Sequence, residues 1–156
     1  MSVSRMSGTA ALLAAAALFG GCATGGGGGG SASKEAIGGG GQRLAMYSPG
    51  VRSGDFIFFS GQIGSRPGGG GLPATVEEQT QQALSNLERL LEQAGVTKAD
   101  LVKCTVFLAD IRDYGAMNGV YAQFFEGTVP PARSAVGVAG LPAGARVEVE
   151  CMAAAR

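Results

Sequence analysis

The chain has 156 residues, with twelve Lys and Arg balancing twelve Asp and Glu, and it contains no histidine. Zero net charge without a basic stretch offers a polyanion no electrostatic attraction, so nucleic acid is not an expected partner. Lacking histidine, the chain has neither the commonest metal ligand nor the usual neutral-pH general base; no metal or cofactor is expected, and chemistry falls to Arg, carboxylates, Tyr, Ser, Asn, Cys or the backbone.

The N-terminus "MSVSRMSGTAALLAAAALFGGC" carries one early cation, Arg5, and an Ala/Leu run to Phe19; Gly20 and Gly21 then precede Cys22. That is the charged, apolar, small-residue order of a secretory signal, with an apolar part too short for a comfortable membrane span. Cysteine directly after two glycines resembles a bacterial lipoprotein signal, although Phe19 stands where Leu, Val or Ile is preferred. The expectation is a signal peptide over 1–21, a Gly-rich tether over 22–41 and a folded domain over 42–156. Lipidated Cys22 would anchor the domain to a bacterial membrane from the periplasm without spanning it.

The glycine runs 25–30 and 38–41 read as tether, and 68–71 as a loop between extended segments. None is followed by Lys-Ser/Thr in a strand-to-helix unit, which argues against a phosphate cradle. Within the domain, "RLAMYSPGVRSG" looks extended and broken at Pro49-Gly50, and "DFIFFSGQIG" (55–64) is strongly β-prone. Thr75 with Glu78 forms a capping box ahead of Val76, Thr80, Ala83, Leu84, Leu87, Leu90, Leu91 and Ala94 at helical spacing, and Gly95 is placed to stop the helix. The run "DLVKCTVFLAD" (100–110) reads as a central strand. A second helix over roughly 113–126 has Asp113 as a possible cap and carries Asn118 within its apolar stripe. That amide either ties down a loop or points into a site; spacing favours neither. Cys104 and Cys151 lie in apolar extended runs and are expected as two buried free thiols.

The final segment, "PPARSAVGVAGLPAGARVEVE" (130–150), holds two β-prone runs around Leu-Pro-Ala-Gly. If they form a hairpin with an even-numbered loop, Arg133, Glu148 and Glu150 share one face; an odd loop would separate Arg133 from the glutamates. Paired charges on apolar strands are often structural, so an ion pair with Glu148 or Glu150 competes with a ligand-binding role for Arg133. The order β-β-α-β-α-β-β indicates an α+β domain, a mostly antiparallel sheet with two helices on one face.

The motifs "SGQIG" (60–64), "KCTVFLADIRDYGAMNGVYAQFF" (103–125) and "PPARSAVGVAGLPAGARVEVE" resemble the RidA/YjgF family, also called L-PSP, over about Gln42 to Arg156. The resemblance implies a chorismate-mutase-like fold, a homotrimer with clefts at subunit boundaries, and hydrolysis of 2-imino acids and enamines such as 2-aminoacrylate to 2-keto acids and ammonia. It implies that Arg133 binds the substrate carboxylate and that Glu148 places water or relays protons. Ser60, Gly61, Asn118 and Tyr47 would line the same cleft. Two positions depart from the deaminating pattern: Ala135 stands where cysteine is usual, and Ala45-Met46 stands where Gly-Pro commonly precedes the tyrosine. The other functional classes are a non-catalytic periplasmic binder of small carboxylates and an endoribonuclease, the latter disfavoured by the zero net charge.

Overall fold

The computed structural model describes residues 33–38 and 46–155. The signal-like segment, Cys22 and most of the tether lie outside these residues. Six strands and two α-helices are described: β1 (Lys34–Ile37), β2 (Gly50–Ser53), β3 (Phe56–Ile63), α1 (Val76–Ala94), β4 (Leu101–Leu108), α2 (Tyr114–Phe124), β5 (Ala132–Gly137) and β6 (Val147–Ala154). They form one sheet in the order β1-β2-β3-β6-β4-β5, antiparallel throughout except for the parallel β4–β5 pair. Helices line one side, giving the α+β architecture the element order implies.

Helix α1 begins and ends as its sequence dictates. The Thr75 hydroxyl accepts from Glu78 N–H, the Glu78 carboxylate accepts from Thr75 N–H, and Gly95 closes the helix in the left-handed conformation at φ 71°. Its apolar stripe places Ala83, Leu84, Leu87 and Leu91 against Ile57, Val147, Val149 and Ala153 of the sheet. Helix α2 adds Met117 and Tyr121 to the same core.

Several expectations are corrected. Residues Lys34–Ile37, inside the stretch read as tether, pair with β2 as an edge strand; flanking glycine runs concealed a four-residue β segment. The two C-terminal runs do not form a hairpin. After β4 the chain passes through α2, and β5 returns parallel to β4, as a strand–helix–strand crossover requires; β6 then inserts between β3 and β4. Asp113 makes no side-chain cap; its carboxylate instead holds Arg146 through Nε and Nη2 at 2.9 to 3.1 Å, joining α2 to the start of β6. Cys104 and Cys151 are not free thiols. They stand opposite each other on β4 and β6, Cα atoms 4.1 Å apart, and are joined as a disulfide beneath the helices. Directly opposed antiparallel positions bring side chains within bridging range, and the register decides this rather than local sequence.

Candidate active site

Side-chain alternation divides the expected site residues between the two faces of the sheet. On β5, Arg133 stands beside Cys104, on the side covered by helices, and its guanidinium lies 4.5 Å from the centre of the Tyr121 ring. Its Nη2 donates to Asn118 Oδ1 at 2.7 Å and to the Tyr114 hydroxyl at 3.0 Å. Tyr114, Asn118 and Tyr121 are successive positions of one α2 face, so a single helix orients the cation. Asn118 therefore holds the arginine beside a hollow rather than tying down a loop. Arg133, Asn118, Tyr121, Phe125 and Pro131 line a hollow of about 340 Å³.

Among the described residues, no carboxylate forms an ion pair with this arginine. The ion pairs among the described residues are Arg112–Asp110 and Arg146–Asp113, so the structural ion pair weighed for Arg133 is absent. The Tyr121 hydroxyl has no hydrogen-bond partner among the described residues, and burial pushes its pKa up to about 12, with the nearby Arg133 charge opposing. Tyr121 is one of the residues lining the hollow, while its hydroxyl oxygen is buried behind that wall.

Glu148 occupies the other face. It alternates with fully buried Val147 and Val149 and pairs with Phe107 and Ile63. Arg133 and Glu148 flank β4 from opposite sides, three residues out of register, which sets their Cα atoms about 14 Å apart. Within one chain they are thus separated, the outcome an odd loop would have given.

What sits beside Glu148 is Gly61. Two residues of β3, Ser60 and Gly61, fall between the pairs Phe59–Cys151 and Gln62–Val149, which leave only Glu150 opposite them. This β-bulge turns Gly61 toward β6, where a Cβ would lie 2.7 Å from Glu148 Cδ. Only glycine leaves room for the carboxylate. Burial, reinforced by the charge of Glu150, raises the Glu148 pKa above the ordinary glutamate value. Glu150 lines a separate hollow with Lys103, Phe58 and Met152, whereas Gly61 faces Glu148. Ser60 fixes the approach to this half: its hydroxyl donates to Ser48 carbonyl at 2.8 Å and its N–H to Pro49 carbonyl at 2.9 Å. Tyr47, 61% exposed, lines a hollow of about 630 Å³ together with Gly61. The expected residues thus form two groups, Arg133 with Asn118 and Glu148 with Gly61, Ser60 and Tyr47. Tyr114 and Tyr121 belong to the first group; their i, i+4 and i, i+3 spacing from Asn118 was the available sequence signal.

The family described as endoribonuclease L-PSP matches residues 41–155 of this arrangement. The chain belongs to the L-PSP family. Relatives within it include the 2-iminobutanoate/2-iminopropanoate deaminase of Rattus norvegicus, 45% identical over 111 residues, which cover 70% of this chain and 80% of the rat protein. The deaminase of the same name from Escherichia coli K12 is 41% identical over 112 residues, 70% of this chain and 88% of that protein. Among solved L-PSP structures, the E. coli YjgF gene product superposes with a TM-score of 0.69 at 40% identity, covering 73% of this chain and 91% of its own. E. coli TdcF with bound serine gives a TM-score of 0.70 at 36% identity, covering 78% and 94%.

Proposed function

We propose that the chain hydrolyses reactive 2-imino acids and enamines to 2-keto acids and ammonia. The observation that carries this reading is Arg133: a guanidinium held by α2, at the wall of a hollow, with no carboxylate partner among the described residues. Such a cation matches a small planar carboxylate. Relatives named as imine deaminases at 41–45% identity supply the reaction class.

The chemistry asks little beyond orientation. A protonated imine is already electrophilic, and fixing its carboxylate on Arg133 places the C=N carbon. Water adds to that carbon as Glu148 takes its proton, giving a carbinolamine. Glu148 then returns the proton to nitrogen; as it takes the hydroxyl proton in turn, the C–N bond breaks, the keto acid forms, and the departing ammonia carries that proton off as ammonium. A carboxyl whose pKa lies above the ordinary value suits these transfers.

For these two groups to meet one substrate, the Arg133 half of one copy faces the Gly61–Glu148 half of another. This reading makes the protein a homotrimer with sites at subunit boundaries. It is supported by large apolar side chains left exposed on the helix-free face: Phe56, Phe58, Val102 and Val136 at 40 to 46%. Export to the periplasm with a lipid on Cys22 is supported by the signal-like N-terminus and by the core disulfide, a bond favoured in oxidising compartments. Ala135, packed against the core two residues along the arginine's own strand, leaves the site without a thiol there, consistent with a shifted substrate range.

The deciding measurement is keto-acid release from freshly generated 2-aminoacrylate or 2-iminopropanoate by the purified chain. Acceleration over background is expected, and Arg133→Ala should abolish it while leaving the elution volume of the oligomer unchanged. Binding dependent on Arg133 with release at the background rate would show a carboxylate binder instead.

A further inference from the structure

The hydrogens of Arg133 are unevenly spent. Nη2 carries two of them and makes two bonds, one to Asn118 Oδ1 and one to the Tyr114 hydroxyl. A guanidinium grips a carboxylate with two parallel bonds either end-on, through both Nη atoms, or side-on, through Nε and the adjacent Nη2. Both grips draw on a hydrogen of Nη2. While Tyr114 holds its place, neither fork is complete, and Nη1 and Nε are the donors left without a hydrogen bond among the described residues.

Tyr114 supplies what the fork lacks. Its oxygen accepts from Arg133, so its own hydrogen is uncommitted, and the phenol makes no other hydrogen bond among the described residues. It is 42% exposed, on the first turn of α2, one helical turn from Asn118, with its ring centre 5.7 Å from the guanidinium. Both oxygens that meet Nη2 therefore come from one helix face, and Tyr114 need not leave for a ligand to arrive. We propose that Tyr114 is a substrate-binding residue that stays on Arg133 as acceptor and donates its own O–H to the substrate's carboxylate. The acid group is thereby held between Arg133 Nη1 and the Tyr114 hydroxyl. This rests on the imine-hydrolase reading and specifies how its carboxylate subsite is built.

The alternatives differ in sign. If Tyr114 were a competitor displaced by ligand, removing its hydroxyl would free Nη2 and tighten binding. If it only propped the arginine, with Asn118 still holding the same nitrogen, binding would barely change. The test is Tyr114→Phe in the purified full chain, read with pyruvate as probe by calorimetry and with 2-iminopropanoate by turnover. The expected result is a rise of about tenfold in both the pyruvate Kd and the KM, the size of a lost bond to a charged group, with kcat nearly unchanged. Unchanged or tighter pyruvate binding overturns the proposal. Arg133→Ala run in parallel separates the two levels. If pyruvate binds that variant normally, the carboxylate site lies elsewhere and the functional reading falls. If Arg133→Ala abolishes binding while Tyr114→Phe matches wild type, only the role of Tyr114 falls.

Discussion

Gly61 and Glu148 were named from family motifs, yet the physical reason for them lies in a single bulge. An extra residue on β3 brings a backbone without a side chain against the carboxylate, and any larger residue would drive that carboxylate away. The raised pKa of Glu148 has two readable consequences. As the proposed base it must lose its proton, so the rate should fall on acidification with a midpoint above the ordinary glutamate value. Because the Glu150 charge is one cause of the rise, Glu150→Gln should move that midpoint to lower pH in a kcat/KM profile. A profile that does not move would mean the limb belongs to another group. In stability the sign is opposite to that of a salt-bridged acid. The folded chain keeps this proton longer than the unfolded chain, so stability falls as pH climbs from the ordinary value to the raised one.

Among the elements, α1 was legible almost to the residue, because its capping box, stripe and terminal glycine are all local signals. The β5–β6 pairing was not. Adjacent runs around a turn suggest a hairpin, whereas the observed neighbours were chosen by the crossover through α2 and by the place left between β3 and β4. The same non-local choice decided the cysteines: two apolar strands gave no hint that register would set them face to face. The disulfide closes a loop of 47 residues, which in the chain-entropy account stabilises the fold by about 4 kcal/mol. Replacing both cysteines by alanine should lower the melting temperature by more than about 10 °C in a thermal scan. Reductant should act on the native chain and leave the double variant untouched.

At the scale of the whole molecule, the motifs singled out the candidate residues but could not show that one chain divides them between two faces of its sheet. Which face a strand presents depends on register, and a one-residue difference in turn length carries a side chain through the sheet. The helix-free face, with its exposed phenylalanines and valines, is the surface on which a second copy would complete the arrangement. Arg133 and Glu148 lie on opposite sides of the same sheet, so in the proposed trimer each chain would lend its cation to one neighbour and its carboxylate to another. Arg133→Ala and Glu148→Gln should each be inactive alone. Co-expressed, they should recover measurable keto-acid release, because some boundaries then pair an intact arginine with an intact glutamate. A mixture as silent as its components would rule out a site shared between subunits. Two crippled alleles could thus rescue each other, a form of genetic complementation written into the alternation of a β-strand.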